Sequence, residues 1–127
     1  MGSYADDALF MSRNNIEYVE LISDDGKSKV MVIPAWQGRV MTTSAAGDEG
    51  DSYGWINYSF IKKRQIDLQF NPVGGEERFW LGPEGGVFSL YFRQGEKQIY
   101  KNWKVPPVLD IEAFKIQSQS KNCICLT

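Results

Sequence analysis

The sequence predicts an all-β domain, an antiparallel β-sandwich preceded by a short N-terminal helix. Three observations point there. Apolar residues recur with period two along most of the chain, the apolar runs are short, and Gly, Pro and Asp punctuate them at close intervals. At 127 residues the chain makes one ordinary domain, which buries roughly two-thirds of the surface its unfolded form exposes. Three stretches are expected: an N-terminal segment over 1–14, a β-sandwich over 15–116 and a divergent tail over 117–127.

The elements follow in chain order. DDALFMSRN, residues 6–14, is the one helical candidate, with Leu9 and Phe10 as apolar anchors; alone it is too short to hold. IEYVELI (16–22) reads as a strand, and Asp24-Asp25-Gly26 turns into KVMVIPA (29–35). The continuous apolar run of that second strand predicts burial on both faces. Trp36-Gln37-Gly38 turns the chain again, and RVMTTSA follows as a third strand whose threonines favour extended backbone. YGWINYSFI (53–61) is aromatic and β-branched, and is read as a strand. KKRQ is read as a solvated basic turn. IDLQF (66–70) alternates until Asn71-Pro72 breaks it. VFSLYF (87–92) alternates too, with Phe88, Leu90 and Phe92 on one face, and DIEAFKI (110–116) offers a weaker last strand. The tail KIQSQSKNCICLT is polar and then abruptly apolar, and is not expected to continue the same architecture.

Composition narrows the function classes. A net charge of −2 argues against a nucleic-acid partner, which calls for a basic face. No apolar run approaches the roughly 20 residues that span a bilayer. The opening MGSYADDALF lacks the basic and apolar regions of a signal peptide. Localisation is left open: cytoplasmic, or periplasmic or secreted if a leader has been removed. The chain has no histidine, so a Ser-His-Asp triad, a Cys-His pair and imidazole zinc sites are excluded. Cys123 and Cys125 are two apart, and two thiolates alone seldom make a metal site. No metal and no cofactor is expected. Asn57-Tyr58-Ser59 matches a glycosylation sequon, read as coincidental inside an aromatic strand.

The densest set of turn-formers and polar side chains is NPVGGEERFWLGPEGGVFSLYF, residues 71–92. Within it, Gly74-Gly75 and Gly85-Gly86 are read as turns, and no P-loop sequence follows. On an extended backbone between them, Glu76, Arg78 and Trp80 share one face, while Glu77 and Phe79 take the other. An acid, a guanidinium and an indole side by side suit a sugar, whose apolar face stacks on Trp and whose hydroxyls bond Arg and Glu. The same spacing fits a cross-strand salt bridge beside a core tryptophan, and spacing alone favours that plainer reading. Glu76, Glu77 and Glu84 also permit a paired-carboxylate glycosidase, which needs about 5–9 Å between the two groups. Arg39, just after Gly38, either reaches a pocket mouth or pairs with a surface acid.

VIPAWQGRVMTTSA, SYGWINY, GGEERFWLGPEGGVFSLYF and NWKVPP, in that order, resemble a little-characterised bacterial family of the galactose mutarotase-like (aldose epimerase-like) supersandwich group. The likeness runs from about Tyr4 to about Phe114. Gly74, Gly75, Trp80, Pro83 and Glu84 are similar to a pattern that helps line the sugar cleft in that group. The resemblance implies a partial supersandwich, carbohydrate as ligand, and Arg78, Trp80 and Glu84 in the pocket wall. Members of the group are normally two to three times longer, so the chain resembles an N-terminal portion. Their epimerase chemistry uses a histidine acid and a later glutamate base, and neither is matched here. The expected function is therefore a carbohydrate-binding protein that is catalytically incomplete as this chain. A sugar epimerase or carboxylate-based glycosidase, and a structural fragment with no assembled site, are the alternatives. Uncovered strand edges and an apolar sheet face predict self-association.

Overall fold

In the computed structural model, which describes residues 2–127, helix α1 (Tyr4–Arg13) opens the chain. It starts two residues before the expected helix because Ser3 caps it reciprocally. Ser3 Oγ accepts from the Asp6 amide at 3.2 Å, and the Asp6 carboxylate accepts from the Ser3 amide at 3.1 Å, satisfying two orphan donors. Tyr4, Asp7 and Met11 fall on one face and are buried. Asp7 is the unusual member. Its carboxylate accepts from the Ser52 and Tyr58 hydroxyls, so the buried group is hydrogen-bonded and ties α1 to two later points of the chain.

Strands β1 (Val19–Ile22), β2 (Lys29–Ile33) and β3 (Arg39–Ser44) form one antiparallel sheet in chain order. Met31, Val32 and Ile33 are all buried, as the continuous apolar run requires of a central strand covered on both faces. Met31, Ile33 and Met41 meet Tyr4 and Met11 of α1 in the main core, which Ile56, Ile61 and Val73 complete. Each such side chain contributes about 1.5–3 kcal/mol by leaving water.

Beyond β3 the sequence reading needs correction. Residues 53–61 do not form a strand: only Ile56 makes a bridge, to Gly74, and Tyr58–Lys62 is helix α2. Asn57 decides this. Its side chain accepts from the Phe60 amide at 3.2 Å as an N-cap, outweighing the β-propensity of its neighbours. Its amide nitrogen donates to Pro72 O at 2.9 Å, so the sequon asparagine serves the turn. Residues 74–77 run beside β3, with Val40 and Glu77 bridged, and the chain then leaves the sheet. Residues 66–70 and 87–92 form no strand. Val87 and Phe88 are 88% and 82% exposed, because no neighbouring strand stands beside them and β-propensity acts only through such partners.

A second, aromatic core gathers Tyr91, Val105 and Leu109, with Phe70, Trp80, Phe92 and Trp103 packed around it. Helix α3 (Pro107–Asp110) is one turn begun by Pro107, a residue suited to the first helical position. It displaces the expected last strand, which begins instead at Ile116. There β4 (Ile116–Gln119) pairs with β5 (Ile124–Leu126) as a separate hairpin. The hairpin meets the main sheet where the Ile22 amide donates to Lys121 O at 2.9 Å. The domain is thus small, built on antiparallel sheets with a short helix in front.

Candidate functional site

Two glycines determine where Arg39 lies. Gly74 and Gly75 have φ of +95° and +112°, and a Cβ on Gly75 would stand 2.8 Å from Arg39 Cδ. The bare backbone of Gly75 therefore lies against the arginine stem, and that of Gly74 against Trp55. Gly74 O accepts from Arg39 Nη1 at 2.6 Å. Arg39 is 4% exposed at the head of β3.

Just upstream, Pro34–Trp36 makes a single 3-10 turn and Gln37 takes a left-handed conformation, φ +59°. That is uncommon for any residue but glycine and stores strain of order 1–3 kcal/mol. The Gln37 side chain is buried as well. Its Nε2 donates to Glu112 O at 2.8 Å, and its Oε1 has no partner.

These groups border a cavity of about 380 Å³, within the range of small-ligand sites. Trp36, Phe60, Ile61 and Val73 are among its apolar wall, and its polar lining includes Gln37, Arg39, Arg64, Asn71 and Asp110. The polar groups divide into occupied and open. Asp110 accepts from the Asn71 amide at 2.7 Å and from Asn71 Nδ2 at 2.8 Å, and its other oxygen pairs with Arg78 Nη2 at 3.3 Å. Asn71 is further tied to both backbone polar groups of Asp67. What stays open is one acceptor, Gln37 Oε1, and one donor, Arg39 Nε, both buried without a partner. A buried polar atom left so is costly and uncommon.

The charges are unbalanced as well. Burial, and then the positive charge of Arg78, lowers the Arg39 guanidinium to about 10, with Asp110 opposing. Arg39 is therefore still a cation at neutral pH. Arg78 is lowered too, by burial first, with Asp110 holding it up.

Of the five residues predicted for a site, Arg78, Trp80 and Glu84 meet one another, while Arg39 and Glu76 lie apart from them. Arg39 lines the cavity. Arg78 reaches its edge through Asp110, donates also to Leu109 O, and lies 4.3 Å from the centre of the Trp80 ring. Trp80 belongs to the second core, its ring beside Tyr91 and edge-on to Phe70. Its indole Nε1 donates to Glu84 at 2.6 Å. Glu76 turns the other way, accepting from the Thr43 amide at 2.5 Å and from its hydroxyl. The shared face of Glu76, Arg78 and Trp80 is therefore corrected: residues 78–80 have left the sheet, so strand alternation no longer applies. Gly85-Gly86 is a surface turn held by the Gln98 amide.

The model of a family of unknown function (DUF6786) matches residues 2–127. The chain belongs to that family. No curated protein and no solved structure matches it. In this DUF6786 domain the described residues hold no cluster of three or more acidic, cysteine or histidine side chains placed for a metal, and Cys123 and Cys125 are exposed free thiols. No described helix is long and apolar enough to cross a membrane.

Sequence reasoning missed Trp36, Gln37, Arg64, Asn71 and Asp110 as site residues. Trp36-Gln37 was legible only as a turn, Asn71 as a strand breaker and Asp110 as the start of a strand. One signal was available: Gly74-Gly75 permits something to approach its backbone closely, and at Gly75 that something is Arg39.

Proposed function

We propose that this DUF6786 domain binds carbohydrate in the cavity bordered by Trp36, Gln37 and Arg39, and that its sheets are part of a mutarotase-like sandwich. One observation carries the reading. Gln37 and Arg39 line one apolar-walled cavity beside an indole, and each carries a buried polar atom that the chain leaves unpaired. A sugar supplies what such a site lacks, with hydroxyls that both donate and accept and a C–H face for the tryptophan. The left-handed Gln37 supports this, since backbone strain of this kind concentrates at ligand sites. So does the Gly-Gly segment, which in the resemblance lines the sugar cleft and here positions Arg39. The wall assigned to Trp80 moves to Trp36, because the Trp80 ring already has Arg78, Tyr91 and Phe70 around it.

The test is a titration of neutral mono- and oligosaccharides followed by tryptophan fluorescence in the parent, Trp36→Leu and Trp80→Phe. Saturable quenching that disappears in Trp36→Leu and persists in Trp80→Phe is the expected result. Quenching that follows Trp80, or none with any sugar, refutes it.

A further inference from the structure

The cavity's charge is opposite in sign to that of the chain. Overall the protein carries −2, yet Arg39 and Arg64 both line the cavity and Asp110 is the one acid among its lining residues. Asp110 is committed to Arg78 and Asn71. Two guanidinium charges are thus left without a carboxylate of their own.

The way Arg39 is held adds direction. A guanidinium has a two-donor edge formed by Nε and one Nη, matched in spacing to the two oxygens of a carboxylate. Arg39 is anchored through Nη1 to Gly74 O, and its Nε is buried and unpaired. The anchor therefore spares the Nε–Nη2 edge.

Arg64 is the second, independent sign. It follows α2 with φ +51°, at the place where a helix end favours glycine. An arginine there strains the backbone, and among the described residues it forms no salt bridge. Glycine would serve the turn better. Its side chain is exposed, as in a solvated basic turn, and it also lines the cavity, which gives an anion there a second cation to meet.

We infer that the ligand is an acidic sugar, a uronic acid or a glycan ending in one, whose carboxylate meets the free edge of Arg39 with Arg64 at the cavity mouth. This rests on the carbohydrate reading above and adds the charge. Gln37 Oε1 then accepts from a ring hydroxyl, and Trp36 faces the ring.

The experiment is calorimetric titration with matched pairs: galacturonate against galactose and against galacturonate methyl ester, and glucuronate against glucose, with acetate as the bare carboxylate. The parent is expected to bind each acid at least ten-fold more tightly than its neutral twin, and to bind acetate far more weakly. In Arg64→Gly that preference is expected to fall several-fold while the melting temperature stays level or rises, because glycine relieves the left-handed backbone. That rise separates lost binding from lost folding. Acid and neutral sugar bound equally would overturn the charge inference and leave the carbohydrate reading standing. No sugar bound at all, or acetate bound as tightly as uronate, overturns both. An unchanged preference in Arg64→Gly overturns its role.

Discussion

Asp110 is the residue on which the cavity floor depends, and its removal has a calculable cost. Its side chain is 1% exposed and holds three donors, two from Asn71 and one from Arg78. Asp110→Ala leaves a buried backbone N–H unpaired and strips the Arg78 charge of its partner. Breaking a buried ion pair from one side costs about 3–5 kcal/mol. The Arg78 side chain keeps 20% of its exposure, so water recovers part of the loss and the lower half, about 3–4 kcal/mol, applies. That is a large share of the 5–15 kcal/mol by which domains are stable, and lowers the melting temperature by roughly 10–15 °C. Asp110→Asn keeps an acceptor for Asn71 but gives up the charge and the Arg78 hydrogen bond, turning an amide donor toward the guanidinium, so a smaller loss of about 2 kcal/mol is expected. Urea unfolding of the three proteins measures both. A loss below 1 kcal/mol in Asp110→Ala, or equal losses in the two variants, would refute the buried network as drawn.

Other consequences are as direct. Gly74→Ala places a Cβ 2.2 Å from Trp55 O at φ +95°, so a loss of about 2 kcal/mol or more is expected by urea unfolding; a neutral substitution would show the segment free to move. Stability should fall above pH 10. Tyr4, by burial first and Glu20 next, is raised well above its ordinary value of 10.0, Tyr58 is raised to about 12 by burial and by Asp7, and Tyr91 is raised by burial. Each keeps its proton in the fold where the unfolded chain has lost it, so its stabilising contribution is complete below pH 10 and declines above, by up to about 1.4 kcal/mol per pH unit per group. Arg39, depressed to about 10, and Arg78, lowered as well, run the other way and offset part of this loss; urea midpoints that stay flat or rise from pH 9 to 11 would contradict this. Val87, Phe88 and Leu90, all exposed, are expected to drive concentration-dependent association in sedimentation, reduced in Phe88→Ser; a single monomer species at all concentrations would count against it.

What was legible in the sequence was whatever depends on neighbours in the chain. The β1–β2 hairpin follows from two apolar runs and an Asp-Gly turn, and the burial of Met31 to Ile33 from an uninterrupted apolar run. The start of α1 depended on Ser3 and Asp6 acting as a reciprocal cap, a signal present but passed over. The strands expected at 53–61, 66–70 and 87–92 do not form because the fate of these segments is set at a distance. Asn57 caps a helix inside an aromatic segment, and residues 87–92 find no strand beside them. The site divides the same way. Arg39 was visible next to its glycine turn. Its cavity, however, is assembled from side chains within 14–16, 35–39, 60–66, 71–73 and 110–113, and no local pattern links Gln37 to Asp110. Trp80 stood out because Trp, Arg and Glu sat close together in sequence, but those side chains chiefly bond one another and the second core.

The most direct check is a ¹H–¹⁵N correlation spectrum of the labelled protein with and without galacturonate, observing tryptophan indole and arginine Nε resonances. Displacement of the Trp36 and Arg39 signals on saturation, with Trp80 and its Glu84 partner unmoved, is what a sugar cavity beside Gln37 requires. Shifts confined to Trp80, or none at millimolar ligand, would mean that the cavity is packing and not a binding site.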